Sequence, residues 1–455
     1  LVETKVYMNS TLAHIKNIYF IGIGGIGMSA LARYFKFLGK EVAGYDRTST
    51  QITNDLIALG IDIHFDDSVN AIPESFLDKE DTLVVYTPAI PKDHKELNYV
   101  QDNGFQIKKR AEVLGIITKE VYTLAVAGTH GKTTTTAILA HLLKESGAKV
   151  TAFLGGISEN YNSNLVLEGN DVVVVEADEF DRSFLQLHPD IAAVTSMDAD
   201  HLDIYGKADE LEVSFRDFSA KVKDHLLICN GLPIDGMTFG IEDDADYCAQ
   251  NVKVDNGTYI FDLKTPTQYI KDLHLNLPGR HNLLNAITAF AIALLYGSPT
   301  ASLAKALFSF KGVQRRFSYK IKTENLVYID DYAHHPTEIN ALHQAVREMH
   351  PGKKVLAIFQ PHLFSRTQDF AVDFASSLTQ FDEIMLLDIY PARELPIAGV
   401  TSDWLLSLIA NENKKLVAKS DLTTEILKSD AEVILTIGAG DIGEEVERVK
   451  NELLR

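Results

Sequence analysis

Apolar residues in this chain fall in short runs that stop at glycine or at an acidic residue, and most runs lead into a helical spacing. The run Asn17–Ile21 meets a glycine turn and then a helical pattern to about Leu38. Glu41–Tyr45 stops at Asp46, and Ile61–Phe65 and Thr82–Tyr86 follow. Runs of four to eight residues alternating with helical spacing predict parallel α/β blocks. A second block starts with Tyr122–Ala127, a glycine turn and a helix over Thr133–Ser146, and continues with Val172–Asp178 and Ile191–Ser196. A more polar, β-rich stretch covers Tyr247–Leu263, and a helix is expected from His281. The third block has runs at Leu326–Asp331, Lys354–Gln360, Glu383–Tyr390 and Glu432–Gly440, with helices between them. The 455 residues suit three domains, with boundaries read at 1–116, 117–317 and 318–455.

Charge and cysteine content narrow the function classes. Against 63 acidic residues stand 43 basic ones, a net charge of −20, which argues against nucleic acid or an anionic membrane as the main partner. Cys229 and Cys248 form neither a metal pattern nor a disulfide framework. With no signal peptide and no apolar run near 18 residues, a cytoplasmic protein without membrane insertion is expected.

The strongest chemical signal is the stretch YTLAVAGTHGKTTTT, which places Gly128, Gly131, Lys132 and Thr133 between a strand and a helix. Glycines let backbone N–H groups close on phosphate oxygens, the lysine adds a point charge, and the threonine hydroxyl suits Mg²⁺. A strict phosphate loop would carry glycine at Val126. Gly22, Gly24 and Gly27 form a dinucleotide-type turn, with Asp46 at the next strand end, where a ribose hydroxyl is usually met. Two ligands suit that turn: NAD, or another nucleotide carrying a diphosphate. A second match, Gly438, Gly440 and Gly443, lacks an acidic partner downstream and reads as a tight strand-to-helix turn.

Carboxylates gather at strand ends in the second block. Glu176, Asp178 and Glu179 end one run, and Asp198, Asp200 and His201 follow the next. Beside a phosphate loop this is where Mg²⁺ is expected, although a histidine is an unusual ligand for it and zinc is the competing reading. In the third block Asp330, Asp331, His334 and His335 follow one strand, and Gln360, His362 and Arg366 follow another. A histidine and an arginine on the carboxyl edge of a sheet suit a carboxylate-bearing ligand. Arg315 and Arg316 read either as a phosphate clamp or as solvated charges.

In order along the chain, GIGGIGMS, TPAI, GTHGKTTT, EADEFDRSFL, TSMDADHLDIYG, GRHNLLNA, GVQRRF, DDYAHHPTEI, QPH, SRT, DIYPARE and GAGDIG together resemble the Mur ligases. These are the ATP-dependent amino-acid-adding enzymes of peptidoglycan synthesis, and the similarity is greatest to their alanine-adding branch. The resemblance implies an α/β protein of three domains: a Rossmann-like N-terminal domain, a P-loop-type central ATPase domain and a Rossmann-like C-terminal domain. It implies that the first glycine turn receives UDP-N-acetylmuramate and not NAD, through Gly24, Gly25, Ile26, Asp46, Thr87 and Arg110. ATP would be held by Gly128, Thr129, His130, Gly131, Lys132, Thr133 and Thr134, with Asn282, Asn285, Arg315 and Asp331. Mg²⁺ would be held by Thr133, Glu176 and His201. Lys132, His334 and Arg366 would be catalytic, with His334 and Arg366 also receiving L-alanine.

One departure stands out: relatives read QPHRYTRT where this chain reads QPHLFSRT, so Leu363 replaces one of two arginines. A monomer or weak homodimer is expected, and no carbamylated lysine is assigned. The alternatives are a tripeptide-recycling ligase of the same family, an NAD-dependent oxidoreductase and a nucleotide-binding regulator without activity.

Overall fold

A computed structural model describes residues 10–198, 208–255, 257–392 and 394–455. The chain forms two compact units. One takes the chain up to Val252 together with Phe261–His274 and Leu284–Phe310; the other takes Lys253–Ile260, Leu275–Leu283 and Lys311–Arg455.

The first unit opens with a five-stranded parallel sheet, in spatial order Asp62–His64, Glu41–Tyr45, Asn17–Ile21, Thr82–Tyr86 and Gln106–Lys109. Ile21 pairs with both Tyr45 and Tyr86, and Tyr86 with Lys109. The glycine turn, Asp46, Thr87 and Arg110 therefore leave one edge of one sheet, the ligand edge of a parallel sheet. Helix Ile26–Phe37 follows the glycine turn directly.

A ten-stranded sheet follows in the chain. From one edge it runs Ser163–Leu167, Val150–Ser158, Val172–Ala177, Tyr122–Ala127, Ile191–Val194 and His225–Cys229 in spatial order. On the His225 side it continues through Met237–Ile241, Tyr247–Asp255, Thr258–Lys264 and Tyr269–Leu275. The valines Val172–Val175 are wholly buried, as expected for a parallel strand covered on both faces. Ala127 pairs with Ala177 on one side and Val194 on the other. The phosphate loop, the Glu176 segment and the Thr195–Asp198 segment thus start side by side. Phe20, Phe35, Phe153, Val175 and Phe184 share one apolar core that joins the two sheets of this unit.

The second unit holds a six-stranded sheet, in spatial order Ser318–Lys322, Val327–Asp331, Val433–Ile437, Val355–Phe359, Glu383–Leu386 and Lys414–Leu416. Only the first strand pairs antiparallel. Ile437 pairs with Asp331 and with Phe359, so the segments after these three strands again leave a common edge. The expected strands Glu383–Tyr390 and Glu432–Gly440 are shorter, Glu383–Leu386 and Val433–Ile437. Beyond Leu386 the chain turns away to run beside the segment after Phe359, touching it through an isolated bridge between His362 and Tyr390.

Candidate functional site

The phosphate loop is shaped by two left-handed glycines. Gly128 has φ 135° and Gly131 φ 83°, conformations that side chains rarely adopt. Space is equally strict, because a Cβ on Gly131 would lie 2.4 Å from Asn285 Oδ1 and one on Gly128 2.0 Å from Thr195 Oγ1. Gly131 caps helix Lys132–Glu145, so the first free N–H groups of that helix face the loop. The loop is also tied from behind. Ser196 Oγ accepts the His130 N–H at 2.8 Å, and Thr129 Oγ1 accepts the Asp198 N–H at 3.0 Å. His130 Nε2 lies 3.2 Å from Asp198 Oδ2, and Thr134 is buried in the first turn of the helix.

Lys132 does not point at solvent. Its Nζ donates to Gly128 O at 2.6 Å and lies 2.7 Å from Glu179 Oε2. Burial alone would lower its pKa, but the carboxylates of Glu179, then Asp178 and Glu176, outweigh this and the net shift is upward. Thr133 Oγ1 donates to Glu176 Oε1 at 3.0 Å. A Cβ on Gly155 would stand 2.1 Å from Glu176 Oε2, so this glycine makes room for the carboxylate. His201 lies outside the described residues. Among the described residues no cluster of three or more histidine, cysteine or acidic side chains could hold a metal by itself.

A cleft of about 330 Å³ opens beside the loop. One wall carries Gly25, Ile26, Gly27, Thr87 and Arg110, and the other Gly155, Glu176 and Asp178. The first glycine turn therefore shares a cavity with Glu176, the carboxylate that accepts from Thr133 of the phosphate loop. Arg110 Nη2 donates to Asp178 Oδ2 at 3.2 Å, and a Cβ on Gly27 would lie 2.5 Å from Arg110 Nη1. Asp46 accepts the Gly24 N–H at 2.7 Å and the Thr48 N–H at 3.2 Å, holding the glycine turn. The buried Asn164 donates to Ile26 O at 2.6 Å and to Ser29 Oγ at 2.8 Å, fixing the helix after that turn. Neither Asn164 nor Gly155 carries a sequence signal, since each acts on a residue far away in the chain. The loop after Glu176 is strained, with Asp181 and Arg182 both at φ 54°. Asp181 is held there by Lys109 Nζ at 2.9 Å.

In the second unit Arg315, Asp331, His334 and Arg366 are placed at the common sheet edge, while Asn282 stands near the start of helix Arg280–Leu295. Asp331 accepts the Phe317 N–H at 2.6 Å and the Ala333 N–H at 2.8 Å; burial pushes its carboxyl up to about 6, with Arg316 opposing. Arg315, at φ 60°, donates to Gly438 O at 2.6 Å and lies 3.3 Å from the buried Asp330. A Cβ on Gly443 would lie 2.5 Å from Arg315 Cζ, so the second glycine motif is a strand-to-helix turn that leaves space for this arginine. His334 Nδ1 sits 2.9 Å from Tyr332 O, which leaves Nε2 as the acceptor of that tautomer. Burial pushes the His334 imidazolium down to about 4, Glu338 opposes this, and Arg366 and Arg316 add to the fall. Arg366 is buried, with Nη1 3.4 Å from His362 Nδ1. Asn282 Nδ2 donates to Pro278 O at 2.7 Å.

Known proteins match this chain in sequence and in fold. Residues 17–122 match the Mur ligase family catalytic domain, 126–293 the Mur ligase middle domain and 315–440 the Mur ligase glutamate ligase domain. A UDP-N-acetylmuramate–L-alanine ligase of Christiangramia forsetii is 64% identical over 446 residues, covering 97% of this chain and 99% of that protein. One from Porphyromonas gingivalis is 50% identical over 452 residues, covering 96% and 99%. The crystal structure of the Thermotoga maritima UDP-N-acetylmuramate-alanine ligase superposes with a TM-score of 0.82 at 29% identity, covering 96% and 99%. A murein peptide ligase from Psychrobacter arcticus shares the fold at a TM-score of 0.69 and 21% identity, covering 96% and 98%. The chain belongs to the Mur ligase family.

Proposed function

We propose that this protein joins L-alanine to the lactyl carboxylate of UDP-N-acetylmuramate, with ATP converted to ADP and phosphate, as a step in making peptidoglycan precursors. The observation that carries the reading is the cleft lined by the Gly25–Gly27 turn, Arg110 and Glu176, the last of these bonded to Thr133 of the phosphate loop. The relatives named for this reaction, 64% identical over nearly the whole chain, favour L-alanine over a tripeptide as the added group. An NAD-dependent oxidoreductase would leave Lys132, Thr133 and Glu176 without a task. The division at 1–116, 117–317 and 318–455, a cytoplasmic location and a monomer or weak homodimer belong to the same proposal.

In this reading the lactyl carboxylate attacks the γ-phosphorus of ATP, ADP leaves, and an acyl phosphate remains. The alanine amine then attacks the acyl carbon, and phosphate departs. The loop N–H groups from Gly128 to Thr134 and the Lys132 ammonium stabilise charge developing on the phosphoryl oxygens. Arg110 orients the acceptor carboxylate. Asn282, Asn285, Arg315 and Asp331 are assigned to the nucleotide, and Asp46 and Thr87 to the UDP portion.

The oxygens of Thr133 and Glu176, 3.0 Å apart with Gly155 leaving room beside them, are the hard donors that suit Mg²⁺. These two residues would hold the ion together with His201, and the bound ion would draw charge from the transferring phosphate. His334, neutral at pH 7, offers a lone pair for the proton released from the amine, and Arg366 receives the amino-acid carboxylate. A carboxylate bound beside Arg366 offsets one cause of the low His334 pKa and makes it a better base.

Phosphate release measured with UDP-N-acetylmuramate and ATP, with L-alanine, the tripeptide or neither, tests the proposal. L-alanine-dependent release is expected. Release that needs the tripeptide, or none under any condition, would overturn it.

A further inference from the structure

The turn that carries Arg366 has no cap of its own. Helix Phe364–Asp369 is six residues long and starts from Leu363, at φ 72° and ψ 136°, whose side chain cannot accept a hydrogen bond. The leading N–H groups of such a turn need a partner from elsewhere, or the turn frays. Glu394 provides it from 29 positions further along the chain. Its carboxylate accepts the Ser365 N–H at 3.0 Å and also takes the Ser365 hydroxyl.

Neighbouring bonds extend the brace. The Leu363 N–H donates to Tyr390 O at 2.9 Å, and the Tyr390 N–H to Pro361 O at 2.8 Å. The rings of His362 and Tyr390 stack with centroids 5.8 Å apart. Arg366 is the next residue after Ser365, and it is the only arginine between Gln360 and Thr367. With leucine at position 363, no second guanidinium in this segment covers for a misplaced Arg366.

We propose that Glu394 is a positioning residue for the amino-acid substrate: it locks the turn at Ser365 so that the Arg366 guanidinium meets the substrate carboxylate. The proposal rests on the reading of Arg366 given above. Glu394 itself touches no reacting atom.

The test uses the full chain with E394A, E394Q, S365A, R366A and the E394A/R366A pair, measuring L-alanine-dependent phosphate release at saturating UDP-N-acetylmuramate. E394A is expected to raise KM for L-alanine about tenfold, the scale of a lost helix cap, while KM for ATP stays within about twofold. E394Q, which keeps a carbonyl for the Ser365 N–H, and S365A, which loses only the hydroxyl, should fall between wild type and E394A. The pair should be no worse for L-alanine than R366A alone, because both changes act through one guanidinium. Unchanged KM for L-alanine in E394A and E394Q, with a clear rise in R366A, overturns the role of Glu394 and leaves that of Arg366 standing. Additive losses in the pair, or equal rises in all KM values, also overturn it. If R366A leaves KM for L-alanine unchanged, the reading of Arg366 fails and the proposal with it. Should E394A fail to fold, E394Q and S365A decide the matter.

Discussion

Glu179 holds Lys132 at 2.7 Å with its own side chain fully buried, so the cation proposed for phosphate already has an anionic partner. An incoming phosphate must compete with this carboxylate. Removing one member of a buried ion pair costs about 3–5 kcal/mol of stability. We predict that Glu179→Gln lowers Tm but gives a larger Tm rise on adding ATP than wild type, since Lys132 then lacks its resident anion. Thermal melts with and without ATP check this, and an ATP shift no larger than wild type would count against it.

In the proposed reaction Lys132 supplies the charge that the transferring phosphoryl group needs. Lys132→Ala is predicted to lower turnover by roughly 10²–10³, the scale of losing one charge-stabilising donor. Steady-state phosphate release measures it, and near wild-type turnover would remove Lys132 from catalysis.

Gly155 is predicted to matter as much as a ligand does. A Cβ placed 2.1 Å from Glu176 Oε2 forces that carboxylate out of position. Gly155→Ala should raise the Mg²⁺ concentration needed for half-maximal activity, and His201→Ala should do the same. A Mg²⁺ titration of each variant gives the answer; unchanged curves would argue against Glu176 or His201 as a ligand.

The first sheet contains a buried acid whose titration should be visible in stability. Tyr19 donates its hydroxyl to Glu96 at 2.7 Å, and His64 lies 3.4 Å from the other carboxylate oxygen. Burial pushes the Glu96 carboxyl up to about 7; the Tyr19 hydroxyl and Ser68 N–H oppose this, and Asp67 and Asp66 add to it. A raised folded-state pKa means that the protonated acid favours the fold. That contribution is complete below the ordinary value of 4.5 and is lost as the pH rises through about 7. Asp62, Asp66 and Asp67 face His64, and Asp67, Asp93 and Lys95 face His94, but the substitution leaves all of these in place. Glu96→Gln should therefore gain Tm relative to wild type on going from about pH 5 to about pH 8. A Tm difference that stays flat or reverses over that range would refute the assignment.

Local patterns in the sequence were enough to find the strands that precede each nucleotide motif. Asn17–Ile21, Glu41–Tyr45 and Thr82–Tyr86 stand where the apolar runs place them, because each is short, buried and ended by a glycine or polar turn. Edge strands such as Gln106–Lys109 and Lys414–Leu416 are not legible in the sequence, since half-exposed polar strands carry no clear period. The site divides in the same way. Lys132, Thr133 and Glu176 are visible as motif residues. Gly155 and Asn164 act through contacts across long stretches of chain, which spacing does not encode. Glu394 belongs with these, 29 residues from the serine it holds.

Asn164 has a consequence beyond holding a helix. By gripping Ile26 O and Ser29 Oγ from the strand Ser163–Leu167, it ties the first glycine turn, proposed for the sugar nucleotide, to the sheet that bears the phosphate loop. The span between these two binding regions is thereby built into the polypeptide before any ligand arrives. Under the proposed function the cleft is a fixed gauge: a molecule fits when the length from its diphosphate to its carboxylate equals a distance the protein has already set.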